Sequence, residues 1–417
     1  MSPSETIYSV WIGDSRAGSI RQRGDYTRFI LDESYRDNAS RPVLGLIFEQ
    51  DPLKTHSANL RLPPWFSNLL PEGRLREWVA DDRGVSVDRE MELLAQVGHD
   101  LPGAVRVLPA NSEPGQTTWE NVERFDGGLP LPNMSEQPGW RFSLAGVQLK
   151  FSMINDRDRL TLPAHGEGGD WIVKLPDRLY PEVPRNEFTM MWLAGAAGIE
   201  IPRIRLIHRD EIQGLPPNAW PGQEEWAFAT QRFDRDAERR RVHIEDLSQV
   251  CNRYSDDKYA GNYESVASLI YRRRDILGLQ QFARRLAFII LITNGDAHLK
   301  NWSLIYRDPK IPTLSPAYDL VSTAVYYAGG TADNLALKFG GSKAYNMVSL
   351  TTFRALQRRL DAKDAYLPEQ VEETVSSVLE NWPQAEDRFR DLPQLRTSIS
   401  ESIDNYSKTL MRRLNRY

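Results

Sequence analysis

Asp296 and Asn301 stand in Asn294-Gly-Asp-Ala-His-Leu-Lys-Asn301, an acid five residues ahead of a carboxamide. That D-x4-N spacing suits phosphoryl transfer: the aspartate orients and deprotonates an acceptor hydroxyl, and the asparagine oxygen helps hold Mg²⁺. Asp319, in Tyr318-Asp-Leu-Val-Ser322, follows shortly downstream. A hard dication prefers carboxylate and amide oxygens, so Asp319 and Asn301 make a sensible pair. Upstream, Lys174 lies among apolar residues in Trp171-Ile-Val-Lys-Leu-Pro176. An ammonium there must reach solvent or neutralise an anion, because burying it unpaired is costly. In kinases a strand lysine contacts the nucleotide phosphates and a helix carboxylate braces it, a part open to Glu187. In Ser143-Leu-Ala-Gly-Val-Gln-Leu-Lys150 a glycine and a small alanine permit close backbone approach, and Lys150 adds charge, as a phosphate-covering loop requires.

Each of these has a plainer reading: a solvated turn, an edge-strand lysine reaching outward, a short strand with one glycine, a capping aspartate. Their order favours chemistry. A strand with glycine, a strand lysine, a helix glutamate, a strand ending Gln231-Arg-Phe233, then D-x4-N, then Asp is the part list of a two-lobed kinase.

The elements that must position these residues follow from periodicity. Tyr8–Ile12 and Tyr26–Leu31 alternate like strands, and Pro64–Pro71 and Glu90–Val97 suggest helices or helical turns. Residues 1–110 therefore read as a small α+β unit. The Pro-, Gly-, Asn- and Ser-rich stretch that follows is a candidate linker over 111–140. Within 141–235, Leu144–Met153 and Trp171–Leu175 read as paired strands, and Ile204–Ile207 and Trp226–Phe233 as further strands. Asn186–Ala197 has helical spacing, with Asn186 a plausible N-cap and Gly198 and Pro202 as the stop. Residues 236–417 read as a mostly helical lobe. In it the apolar run Leu286–Ile292 leads into the Asp296 loop, and Gln370–Leu379 and Ile399–Leu414 form an amphipathic tail.

At 417 residues the chain exceeds one ordinary core. With 41% hydrophobic and 26% charged residues it has the make-up of a soluble globular protein. Leu286–Ile292 is its longest apolar run, far short of a membrane span, and the N-terminal residues lack the pattern of a signal peptide. The single cysteine, Cys251, excludes an internal disulfide and fits a reducing, cytoplasmic setting. A net charge of −5 argues against direct nucleic-acid binding by the whole chain, and the arginine runs at Arg239–Arg241 and Arg272–Arg274 read as solvated faces.

Six segments together resemble the HipA family, the serine/threonine kinase toxins of bacterial type II toxin–antitoxin modules. They are Phe142–Lys150, Ile172–Pro176, Asn186–Phe188, Arg232–Arg235, Gly295–Asn301 and Leu314–Leu320, and Asn68–Glu72 and Val97–Ala104 extend the likeness to the N-terminal unit. The resemblance implies an α+β, two-lobed protein-kinase-like fold with an N-terminal α+β subdomain and a helical C-terminal lobe. It implies ATP and Mg²⁺ as cofactors, with Asp296 as base, Asn301 and Asp319 on the metal and Lys174 on the phosphates. Ala145, Gly146, Val147, Gln148, Leu149 and Lys150 would form the phosphate loop. Gln231, Arg232 and Phe233 would lie at the adenine hinge, with His298 and Lys300 beside the phosphates. Ser143 matches the loop serine that family members autophosphorylate. Leu149 stands where a glutamate is common, Phe151 where a threonine is, and Gln231 where a glutamate is; the two loop changes bear on autoregulation more than on catalysis. The implied partners are a HipB-like helix-turn-helix antitoxin, operator DNA through that antitoxin, and an aminoacyl-tRNA synthetase substrate, the glutamyl enzyme first. A small-molecule or lipid kinase and a non-catalytic interaction protein are the alternatives.

Overall fold

The computed structural model describes residues 5–110, 150–156, 159–161, 169–215, 219–326 and 334–412. The chain forms two compact units. The first takes its described residues from Met1–Leu179, Ile207–Ser255 and Ile305–Pro312, the second from Tyr180–Leu206, Asp256–Leu304 and Thr313–Tyr417.

In the first unit, β1 (Glu5–Ile12), β2 (Ser15–Arg23), β3 (Tyr26–Leu31), β4 (His56–Asn59) and β5 (Val105–Pro109) form an antiparallel sheet in the order β4-β3-β2-β1-β5. The alternation of Val10 and Ile12, and of Phe29 and Leu31, turns one face onto a core that includes Phe48, Trp65 and Phe66. At Gly18 a Cβ would lie 2.3 Å from the Ile30 carbonyl oxygen, so only glycine lets β2 and β3 close here.

A second sheet contains β6 (Lys150–Asp156), β7 (Arg159–Thr161), β8 (Trp171–Lys174), β9 (Ile204–His208), β10 (Ile212–Gln213) and β11 (Trp226–Gln231), in the order β10-β7-β6-β8-β11-β9. The expected pairing of the two strands at 144–153 and 171–175 holds from Lys150 onward, antiparallel, with Phe151 opposite Val173 and Met153 opposite Trp171. Those four side chains face the local core with Ala227 and Ala229. The linker at 111–140, the loop at Ala145–Leu149 and Ser143 lie outside the described residues.

The second unit is mostly helical. Its helices include Val183–Ala196, Ile276–Leu291, Leu367–Glu386 and Pro393–Leu410. Asn186 is not the N-cap expected of it. Pro184, preorganised for a first turn, starts the helix at Val183 and places Asn186 inside it. The stop is as read: Gly198 takes φ +79°, and the Ile199 amide returns to the Ala194 carbonyl at 3.0 Å. The run Leu286–Ile292 is the end of a buried helix. Among the described residues no helix is long and apolar enough to cross a membrane.

Candidate active site

The helix Ile276–Leu291 ends abruptly. Thr293 takes φ +50°, the Asn294 amide returns to the Ile289 carbonyl at 2.9 Å, and the chain leaves as a loop. A β-branched residue resists that backbone conformation, so the turn needs support from its surroundings. Thr323 supplies it: its Oγ1 donates to the Thr293 carbonyl at 2.9 Å and accepts the Gly295 amide at 2.8 Å.

Asn294, fully buried, organises the Asp296 loop. Its Oδ1 accepts the Asp296 amide at 3.0 Å, and its Nδ2 donates to the Asp319 carbonyl at 3.2 Å. The amides of His298 and Asn301 then return to the carbonyls of Asp296 and His298 at 2.8 and 2.9 Å. Asn301 Nδ2 donates to the Asp296 carbonyl at 3.2 Å. With its nitrogen committed to the loop, the Asn301 carboxamide offers its oxygen to a metal. Asp296, His298 and Asn301 are all buried, and Lys300 is half-buried.

The Asp296 carboxylate is held from the side. Tyr259 OH donates to Oδ1, and His298 Nε2 lies 3.9 Å from the same oxygen. Tyr263 OH donates to the Ala297 carbonyl at 2.9 Å. Burial holds the Tyr263 phenol far above its ordinary range, and the nearby Asp296 charge adds to this, so it stays a neutral donor.

Asp319 adopts φ +55° and is half-buried. Its segment is tied to the Asp296 loop twice, through Asn294 and through Tyr318, whose OH donates to the Lys300 carbonyl at 2.8 Å. Asn186 fastens the far side of the segment: Nδ2 donates to the Ser322 carbonyl at 2.9 Å and Oδ1 accepts the Ser322 amide at 3.1 Å. Behind it, Arg285 Nη2 donates to the Ser315 carbonyl at 2.7 Å, with the guanidinium 5.1 Å from the Trp302 ring. Burial pushes this arginine down to about 10. Asp296, Asn301 and Asp319 thus belong to one hydrogen-bonded assembly. Among the described residues no group of three or more His, Cys, Asp or Glu is placed to hold a metal. The donor set of one amide oxygen and one carboxylate fits Mg²⁺, which takes few protein ligands and fills its sphere with water and phosphate oxygens.

In the first unit, Lys150 and Lys174 are directly opposite on β6 and β8. Cross-strand partners share a face, and here it is the face turned away from Phe151, Val173 and Met153. Like charges so placed repel, and an anion relieves them. Lys174 Nζ also lies 5.7 Å from the Phe228 ring centroid. Gln231 pairs with Trp171 across β8 and β11 and, like Phe233, is half-buried.

Arg232 has a structural task. Its guanidinium is buried against Asp234 at 2.9 and 2.8 Å, with Ser152 Oγ at 3.1 Å and Asp100 at 3.4 Å. Its amide donates to the Asp170 carbonyl at 2.8 Å. Asp100 also accepts from Arg235 at 2.9 Å, and the Gly103 amide donates to Asp234 at 2.8 Å. Burial alone would push the Asp234 carboxyl up. The two guanidinium groups and the Gly103 amide more than offset it and hold Asp234 at about 2. Val97–Ala104 and Arg232–Arg235, two of the segments that carry the resemblance, therefore meet in one buried ion network.

Asn294, Tyr259, Tyr318, Thr323 and Arg285 support the candidate site without having been singled out from the sequence, although Asn294 opens the polar loop and Tyr318 precedes Asp319.

The family model of the HipA-like C-terminal domain matches residues 142–385, and that of the HipA N-terminal domain matches residues 8–108. A putative kinase of Sinorhizobium fredii, Y4dM, is 40% identical over 422 residues, covering 98% of each chain. The serine/threonine-protein kinase toxin HipA of Shewanella oneidensis is 26% identical over 302 residues, covering 66% of each. The solved Shewanella oneidensis complex of HipA, HipB and operator DNA contains a chain similar in fold, with a TM-score of 0.73, 18% identity and 97% coverage of both. With this α+β kinase-like fold and relatives that bear kinase names, the chain belongs to the HipA family.

Proposed function

We propose that this protein is an ATP- and Mg²⁺-dependent serine/threonine kinase that acts as the toxin of a type II toxin–antitoxin module. The observation that carries this reading is the Asn294 clamp, which joins the Asp296 loop to the Asp319 segment through two hydrogen bonds. Asp296 accepts the proton of the acceptor hydroxyl as its oxygen bonds to the γ-phosphorus of ATP and the bond to the ADP oxygen breaks. Asn301 Oδ1 and the Asp319 carboxylate would hold Mg²⁺, whose charge offsets that developing on the phosphates. Lys174 and Lys150 face the phosphates, supported by their shared sheet face. His298 and Lys300 lie beside them, and the backbone at Gln231 and Phe233 borders adenine. Residues 145–149 complete the phosphate loop, and Ser143 is the proposed autophosphorylation site.

The substrate in this reading is an aminoacyl-tRNA synthetase, the glutamyl enzyme first, so that phosphorylation stops translation and growth in the cytoplasm. The partner is a helix-turn-helix antitoxin that carries the contact with operator DNA, as the complex of HipA, HipB and operator DNA supports. The test is transfer of labelled phosphate from ATP to purified glutamyl-tRNA synthetase. Labelling of a serine in that enzyme is the expected result. Labelling of small molecules or lipids alone would overturn the substrate assignment.

A further inference from the structure

The dipeptide Lys258-Tyr259 is fitted to the catalytic loop at three points. The Lys258 carbonyl accepts the Leu299 amide at 3.1 Å. The Tyr259 ring meets His298 edge-on, with centroids 5.1 Å apart at 84°. The Tyr259 hydroxyl donates to Asp296 Oδ1. Packing on His298 needs only the ring, so the hydroxyl has a separate task. A carboxylate turns about a soft, nearly two-fold torsion, and nothing in its own covalent structure fixes its plane. A charge-assisted hydrogen bond to one oxygen does.

We propose that Tyr259 is the positioning residue for Asp296: its hydroxyl fixes the carboxylate plane so that the acceptor hydroxyl meets the base in one orientation. The inference rests on the reading of Asp296 as the base. Misplacement of a reacting group by about 1 Å costs roughly 10²-fold in rate, so a carboxylate that loses this bond is a poorer base even where the substrate still binds.

A Y259F variant keeps the ring and removes the hydroxyl. The expected result is a kcat about tenfold or more below the parent's, with KM for ATP unchanged and the thermal midpoint lowered by no more than the loss of one hydrogen bond explains. In a D296N background the residual single-turnover rate should fall no further when Y259F is added. If D296N retains the parent's kcat, the reading of Asp296 as the base fails. If D296N is inactive while Y259F matches the parent, the positioning role alone fails. It fails equally if Y259F turns over faster, because the hydroxyl then obstructs the acceptor. Parallel losses in kcat, ATP affinity and thermal midpoint would make Tyr259 a merely structural residue and overturn the proposal.

Discussion

The side-chain amide of Asn294 donates to the carbonyl oxygen of Asp319 at 3.2 Å, within the second unit. The same carboxamide receives the Asp296 amide, so one buried side chain spaces the proposed base from a proposed metal ligand. An N294A variant strands the buried Asp296 amide and the part-buried Asp319 carbonyl, at a cost of about 1–3 kcal/mol. Its kcat should fall by roughly 10²-fold through loss of that spacing. Thermal melts together with steady-state kinetics check both. An N294A enzyme with the parent's kcat would contradict the clamp.

Lys150 and Lys174 share one level of the β6–β8 ladder. If they face the nucleotide phosphates, K150A and K174A should each weaken ATP binding by about tenfold, as the loss of one charge-assisted contact implies. The stabilisation of the protein by Mg²⁺-ATP, read as a shift in thermal midpoint, should shrink accordingly. An undiminished shift in the double variant would remove both lysines from the site.

Asp100 joins Arg232, Arg235 and Arg241, at 3.4, 2.9 and 3.6 Å. D100N leaves Arg232 and Arg235 to share Asp234 alone and takes the Asp100 charge from Arg241, and should destabilise the first unit by about 1–3 kcal/mol. Chemical denaturation followed by tryptophan fluorescence measures this, and a change below about 1 kcal/mol would show that Asp234 alone suffices.

His243 and Glu245 are both buried on the strand His243–Asp246 and titrate in opposite senses. Burial pushes Glu245 from 4.5 up to about 7 despite hydrogen bonds from Tyr306, Trp65 and the Leu46 amide. Its contribution to stability is complete below pH 4.5 and is lost as pH rises through about 7. Burial pushes His243 from 6.5 down to about 4, so its contribution is complete above pH 6.5 and is lost as pH falls through about 4. The two trends oppose each other. Removing one by E245Q should unmask the other: the thermal midpoint of this variant should rise more steeply between pH 4.5 and 6.5 than the parent's. Identical pH profiles would contradict this assignment.

What was legible in the sequence was local. Asp296 and Asn301 are bound through one short loop, and Lys174 sits in a strand whose alternation shows on its own residues. The HipA likeness extended this to the kinase-like fold. The rest depends on contacts between distant stretches. Asn186 reads as a cap until the structure shows it bridging to Ser322, and nothing near Arg232 in the sequence points to Asp100 as a partner of its guanidinium. Tyr259 has no local pattern at all, because its partner Asp296 meets it only after folding.

Phosphate transfer by the parent and by D296N, at saturating Mg²⁺-ATP, decides whether Asp296 is the base. The parent should label its protein substrate. D296N should lose roughly 10²–10⁴-fold in rate while keeping its thermal stabilisation by Mg²⁺-ATP. A D296N enzyme that transfers phosphate at the parent's rate would contradict that role.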